Sequence, residues 1–434
     1  MEKKSEIYET YVKILKDELL PAMGCTEPIA IAYAAAKAKD VLGCLPDHIY
    51  IGVSNNIIKN VKSVVVPNTG GLKGIEAACA VGIIAGKADK ILEVISEVSD
   101  DQKLKIKSYI QEVPLKIEAI DNGEVFDIII RLYKDDKSAT VRLARFHTNI
   151  VYIAKDDEVL IKKDLDKAEA NACFEDKSPT RKGASASLTV MDILDFADTC
   201  DIEDIKDVIE RQIEYNSKIS EEGLKKDYGA NIGKTMLKYY GDSIRNRAIA
   251  KAAAGSDARM SGCELPVIIN SGSGNQGMTV SIPVIEYAKE LNVSKEKLYR
   301  ALVLANLIAI HEKDGIGRLS AYCGAVSAGC AAGCGIAYLY GADYDAIAHT
   351  LVNSLAIVSG IICDGAKASC AAKIASSVEA GIMGYHMYLN GQQFLDGDGI
   401  VTKGVENTIK NIGRLGREGM KETDKEIVKI MLKE

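Results

Sequence analysis

Apolar positions recur at helical spacing over about 6–20 and 27–40, then switch to the tighter alternation of strands. The runs HIYIGVS, VKSVVV, VFDIIIRLY, ATVRLARF and NIVYIA are rich in Val, Ile and aromatic residues and predict strands. Turn signals such as Asp121-Asn122-Gly123 lie between such runs and predict antiparallel hairpins. Two further helical patterns, about 74–86 and 101–112, interrupt the strands. Residues 1–165 therefore read as a mixed α/β domain, and the charged stretch 166–186 as a linker. From 187 to 434 the pattern is almost wholly helical. Ala/Gly-rich helices near 319–340, 344–362 and 367–389 predict a buried bundle at its centre. The fold class expected is α+β, with an all-α C-terminal domain. A glycine inside a helix costs roughly 1 kcal/mol relative to alanine. So many of them imply that these backbones approach something closely, either one another or a cofactor.

Composition narrows this reading. At 434 residues the chain exceeds one ordinary core, and 47% hydrophobic with 26% charged residues is a globular profile. A net charge of -7 without clustered Lys and Arg argues against nucleic acid and for a small-molecule substrate. The uncharged stretch 319–342 is long enough to span a bilayer, but it consists of Gly, Ala, Ser and Cys between strongly polar flanks. A close-packed buried helix is the better reading, with no membrane partner. The N-terminus carries charge throughout and is not a signal peptide, and eleven cysteines, an odd count, are spread over the whole length. Free thiols or metal ligands in a reducing cytoplasm are expected. So much small-residue helical surface suits a homo-oligomer, with a dimer plausible.

Several segments carry candidate chemistry. Cys363 and Cys370 lie seven apart in ICDGAKASC, and Asp364-Gly365 predicts a break that puts Cys363 on a loop and Cys370 on the next helix. Cys323, in YCGA, opens another helix after the polar loop HEKDGIGR, which holds His311, Lys313, Asp314 and Arg318. These three thiols suit an iron–sulfur cluster with one open iron site, or are small buried core residues. Cys330 and Cys334 are rival ligands on a buried face. In MGCTEP, Thr26 reads as a helix cap with Glu27 and Pro28 in the first turn. Cys25 then sits before a helix N-terminus, which favours a thiolate: a base, a nucleophile, a ligand or a packed loop thiol. The loops VPNTGG, with Asn68 and Thr69, and INSGSGNQG, with Ser271, Ser273, Asn275 and Gln276, suit a carboxylate or phosphate. Neither fits a P-loop or dinucleotide pattern. Lys367 is a carboxylate holder or, alternatively, a Schiff-base lysine for pyridoxal phosphate.

Taken together, MGCTEP, SGSGNQG, YCGA and ICDGAKASC resemble the L-cysteine desulfidase family over essentially the full length. That family is distantly similar to the oxygen-sensitive iron–sulfur L-serine dehydratases. The resemblance implies a 4Fe-4S cluster held by Cys323, Cys363 and Cys370. It also implies release of pyruvate, ammonia and sulfide from L-cysteine without pyridoxal phosphate, and Cys25 acting as a base or additional ligand. Cys25 and Lys367 are then the expected catalytic residues. Thr26, Glu27, Asn68, Thr69, Ser271, Ser273, Asn275, Gln276 and His311 are expected to contact substrate. The alternatives are an iron–sulfur L-serine dehydratase and a non-catalytic iron–sulfur sensor.

Overall fold

The computed structural model describes residues 1–3, 5–165, 188–317 and 319–432. The expected linker 166–186 and Arg318 lie outside them. The first half is built on a six-stranded sheet in the order β3-β2-β4-β5-β6-β7. Its strands are β2 (His48–Val53), β3 (Leu115–Ala119), β4 (Asp127–Lys134), β5 (Lys137–Ala144), β6 (Ile150–Lys155) and β7 (Glu158–Lys162). All pairs are antiparallel except β2–β3, whose long helical crossover returns the chain in the same direction. Alternation along β4 aims Ile128, Ile130 and Leu132 at the core and leaves Arg131 outside. The Asp121-Asn122-Gly123 turn closes no hairpin; it carries the chain from β3 past β2 to β4. VKSVVV is no strand either. Its first residue ends the helix α3 (Asn55–Val61), and the rest is a turn with a single bridge from Val65 to Lys73. Val64 and Val66 are buried in irregular backbone, so a run of β-branched residues here reports burial and not pairing.

Helix α2 (Thr26–Leu42) crosses the inner face of the sheet, with α4 (Gly74–Ala85) behind it. The chain also forms α1 (Glu6–Glu18) and α5 (Asp100–Glu112) in this half. The second half is helical, as expected. It comprises α6 (Val190–Thr199), α7 (Ile202–Lys225), α8 (Ile232–Tyr240), α9 (Ile244–Met260), α10 (Gly274–Glu290), α11 (Lys295–Ile316), α12 (Gly324–Leu339), α13 (Tyr344–Val358), α14 (Cys370–Leu389), α15 (Val405–Arg414) and α16 (Lys421–Leu432).

The expected helices at 319–340, 344–362 and 367–389 are each shorter than their apolar runs, because the ends are spent on the loops that carry Cys323 and Cys363. The interior glycines let helices touch each other. A Cβ on Gly333 would fall 2.3 Å from the Gly381 carbonyl oxygen, so α12 and α14 pack backbone to backbone. Among the described residues no helix is long and apolar enough to cross a membrane.

The halves are interlocked. Strand β1 (Pro21–Met23) pairs antiparallel with β8 (Pro266–Ile268) from the second half. Helix α1 packs on the second half, where Tyr8 and Tyr11 meet Phe196. Conversely α16 returns to lie on α3 of the first half. One hydrophobic core runs from Tyr8 to Ile412.

Candidate active site

The loops that carry the sequence motifs converge on one cavity of about 110 Å³ between the halves. Its walls include Cys25, Thr26, Glu27, Lys59, Asn60, Arg259, Ser273, Asn275, Gln276, Lys313, Tyr322, Cys323, Cys363 and Cys370. The N-termini of α2, α10, α12 and α14 all start there, at Cys25, Ser273, Cys323 and Ser369. Their unpaired N–H groups and dipoles favour anionic groups. Lys59, Arg259 and Lys313 add cations, while Glu27 is the one carboxylate among the described lining residues.

Cys323 and Cys363 are brought together by a short antiparallel bridge between Tyr322 and Ile362. The Cys323 N–H donates to the Ile361 carbonyl at 3.1 Å and the Cys363 N–H to the Ala321 carbonyl at 2.6 Å. The break expected at Asp364-Gly365 is present. Gly365 has φ +94, and a Cβ there would sit 2.2 Å from the Lys59 carbonyl, so only glycine lets this turn press against α3. Cys370 follows as the first residue of α14.

The hydrogen bond from Cys323 holds the Cys363 thiol below its ordinary pKa against the cost of burial, assisted by Lys59 and Lys313. Cys323, as the donor and nearly buried, is pushed up. Burial raises Cys370 as well.

Among the described residues, no group of three or more His, Cys, Asp or Glu side chains forms a site for a metal ion. The donor set does fit a larger iron–sulfur group. Three thiols line one cavity, one of them already biased toward thiolate, and buried cations stand beside them to balance negative charge. Cys330 and Cys334 lie outside this set. They are fully buried inside α12, and Cys334 Sγ faces the Ile347 carbonyl at 3.7 Å.

The MGCTEP segment differs from expectation in detail. Cys25, not Thr26, is the residue before the helix, and Thr26 Oγ1 donates to the Gly272 carbonyl at 2.9 Å, tying the two motif loops together. The Cys25 thiol donates to Glu27 Oε2 at 3.0 Å. Burial and the Glu27 charge push it well above the usual thiol range, although Arg259 opposes them. It rests as a thiol and not as the thiolate that the helix terminus suggests, since a dipole effect of about 0.3–1 kcal/mol is smaller than the cost of burying an anion beside a carboxylate.

Burial alone would raise Glu27. The imidazole of His147, with Nε2 at 3.8 Å, and the Cys25 thiol outweigh it and hold the carboxylate near 2. Asn60 Nδ2 also donates to Glu27 Oε1, at 3.2 Å. His147 Nε2 has no hydrogen-bond partner of its own.

Of the expected substrate-contacting residues, Thr26, Glu27, Ser273, Asn275 and Gln276 line the cavity; the others do not. Asn68 donates to the Ile95 carbonyl at 2.7 Å, tying the loop to a distant segment, and Thr69 donates to the Val66 carbonyl at 2.7 Å within the VPNTGG turn. Ser271 Oγ is spent on Asn270 at 3.0 Å. His311 lies within helix α11, not in a loop, and meets Glu406 at 2.7 Å on the far side. Lys367 is also away from the walls; its ammonium is held by Asp364 Oδ1 at 2.6 Å and the Asp364 carbonyl at 2.8 Å.

Arg259, Lys59 and Asn60 were not legible in sequence. Arg259 ends the Ala-rich helix α9, where a basic residue in the last turn reads as an ordinary helix end. Lys59 sits in a short polar helix that gave no signal, yet it is 2% exposed and paired with Asp424 of α16.

Residues 89–429 match the family model described as serine dehydratase alpha chain. A UPF0597 protein of Desulfitobacterium hafniense (strain Y51) is 59% identical over 433 residues, covering 100% of this chain and 98% of its own. Another from Lachnoclostridium phytofermentans is 53% identical, covering 98% of this chain and 100% of its own. A third, from Treponema denticola, is 47% identical, with 98% of each chain covered. The matched region contains Arg259, the SGSGNQG loop and all three cysteines of the cavity wall, and the chain belongs to the serine dehydratase alpha chain family.

Proposed function

We propose that this chain is a 4Fe-4S-dependent lyase that eliminates sulfide from L-cysteine, leaving pyruvate and ammonia. The observation that carries the reading is the meeting of Cys323, Cys363 and Cys370 on the walls of the cavity that also receives Cys25. The three thiols would hold the cluster, and Lys59 and Lys313 would offset its charge. When bound, the cluster supplies a Lewis-acidic iron that favours departure of the substrate's sulfur.

The chain's own residues supply the proton chemistry. Cys25 rests as a thiol that donates to Glu27 Oε2, and this bond fixes where its sulfur stands. As the thiolate, with its own proton lost to solvent, Cys25 takes the Cα proton, and the Cα electrons expel the substrate's sulfur at Cβ as sulfide. The aminoacrylate product tautomerises and hydrolyses in water to pyruvate and ammonia. Ser273, Asn275 and Gln276, at the start of α10, orient the amino acid so that Cα–H faces Cys25. Lys367 lends no support to a pyridoxal phosphate reading, because its ammonium is committed to Asp364 outside the cavity. The ten described cysteines are all free thiols, which supports a working place in the reducing cytoplasm.

A second reading, elimination of water from L-serine, is favoured by the description of the matching family. The two are separated by anaerobic purification, iron and acid-labile sulfide quantification, and parallel assays of pyruvate from L-cysteine and L-serine. About four irons per chain with sulfide release from cysteine, both lost in Cys363→Ala, is the expected result. Iron with turnover of serine alone would replace the substrate, and absence of iron under strict exclusion of oxygen would end the cluster reading.

A further inference from the structure

Arg259 heads the largest fully buried side chains of the described residues and is 2% exposed. Its Nη1 donates to Asn275 Oδ1 at 3.1 Å, which fixes the plane of the guanidinium. Its Nε and Nη2 have no hydrogen-bond partner. These two atoms form one edge of the planar group, the edge that grips a carboxylate through two parallel hydrogen bonds. Burying a cation with that edge unmet is expensive, so a guanidinium on a cavity wall with two unpaired N–H groups calls for an anionic occupant.

The surroundings agree. A Cβ on Gly274 would fall 2.5 Å from Arg259 Nε, so only glycine lets the SGSGNQG loop pack against the guanidinium. Glu27, the one carboxylate among the described lining residues, already accepts from Cys25 and Asn60. The Cys25 and Cys370 thiols flank the guanidinium. A carboxylate held on the free edge would therefore lie between the expected proton acceptor and the expected cluster ligands, and the distance from carboxylate to Cα is a single bond.

We infer that Arg259 anchors the substrate's α-carboxylate through Nε and Nη2, and that the site selects small α-amino acids against the matching amines. The inference rests on the proposed function only for the identity of the leaving group. Arg259 is a binding residue here, and Asn275 positions it.

The test is calorimetric titration of the anaerobic, iron-loaded enzyme with two analogues that each lack one end of cysteine: 3-mercaptopropionate, which keeps the carboxylate, and cysteamine, which keeps the amine. Arg259→Gln is expected to weaken 3-mercaptopropionate by at least about 30-fold and to leave cysteamine within about threefold. Retained cysteamine binding also shows that the cavity is intact. Arg259→Lys keeps the charge without the two-pronged edge, and should lose affinity for the acid alone, by about tenfold. If the glutamine variant fails to fold, the lysine variant decides the matter by the same comparison.

Equal weakening of both analogues, or no weakening of the acid, overturns the anchor. Arg259-dependent binding of the acid in an enzyme that releases no sulfide from L-cysteine leaves the anchor standing and removes the proposed reaction. Sulfide release with Arg259 variants indifferent to the carboxylate does the reverse.

Discussion

Replacing Glu27 with Gln tests the electrostatic design of the cavity, because the change keeps shape and removes one charge. In the fold this carboxylate is held near 2 instead of its ordinary 4.5, with burial working against His147 and the donor from Cys25. A difference of that size contributes roughly 3 kcal/mol to stability at neutral pH. Because the folded value lies below the unfolded one, the contribution is complete above about 4.5 and disappears as pH falls through 2. Urea denaturation of cofactor-free protein should therefore show Glu27→Gln destabilised by roughly 3 kcal/mol at pH 7 and by about half that at pH 3. The same substitution removes the charge that helps keep the proton on Cys25, so alkylation of Cys25 near neutral pH should quicken in the cofactor-free protein. A stability difference below about 1 kcal/mol at pH 7, or one that does not shrink toward pH 3, would refute the account of the carboxylate. Unchanged Cys25 reactivity in the folded variant would refute the coupling of the two groups.

Other outcomes follow from the same geometry. Lys59→Met leaves the half-buried Asp424 without its partner and should cost about 1–3 kcal/mol, while slowing alkylation of Cys363 near neutral pH in cofactor-free protein because a cation that favours the thiolate is gone. Unaltered Cys363 reactivity in a folded variant would count against that coupling. Gly333→Ala drives a methyl into the Gly381 backbone and should cost about 1–3 kcal/mol or more, seen as a lower Tm with the iron content of surviving protein unchanged. Lys367→Ala should keep turnover within about threefold, since its ammonium is held by Asp364 outside the cavity; a loss of about 100-fold or more would restore it to the chemistry.

The period of the apolar pattern determined much by itself. The switch from alternation in β4 to β6 to long Ala/Gly-rich helices gave the α+β class and the all-helical second half, because burial on one sheet face and in a helix bundle leave different periodicities. Local chemistry was also legible. Asp364-Gly365 lies in the break between α13 and Cys370, which begins α14, and the SGSGNQG loop opens α10.

What sequence left out depended on long-range contact. VKSVVV has strand composition, yet no partner strand reaches it and it turns instead. Lys367 and His311 look chemical in isolation, but Asp364 and Glu406 claim them. Cys25 sits where a dipole favours a thiolate, but burial beside Glu27 keeps the proton on. Arg259 looks like an ordinary helix end until residues about fifteen positions later wrap around it. Side-chain type and spacing fix which chemistry is available. Which of those groups face one another in a low-dielectric cavity is decided by the packing of α2, α9, α10, α12 and α14, and burial then sets their charge states.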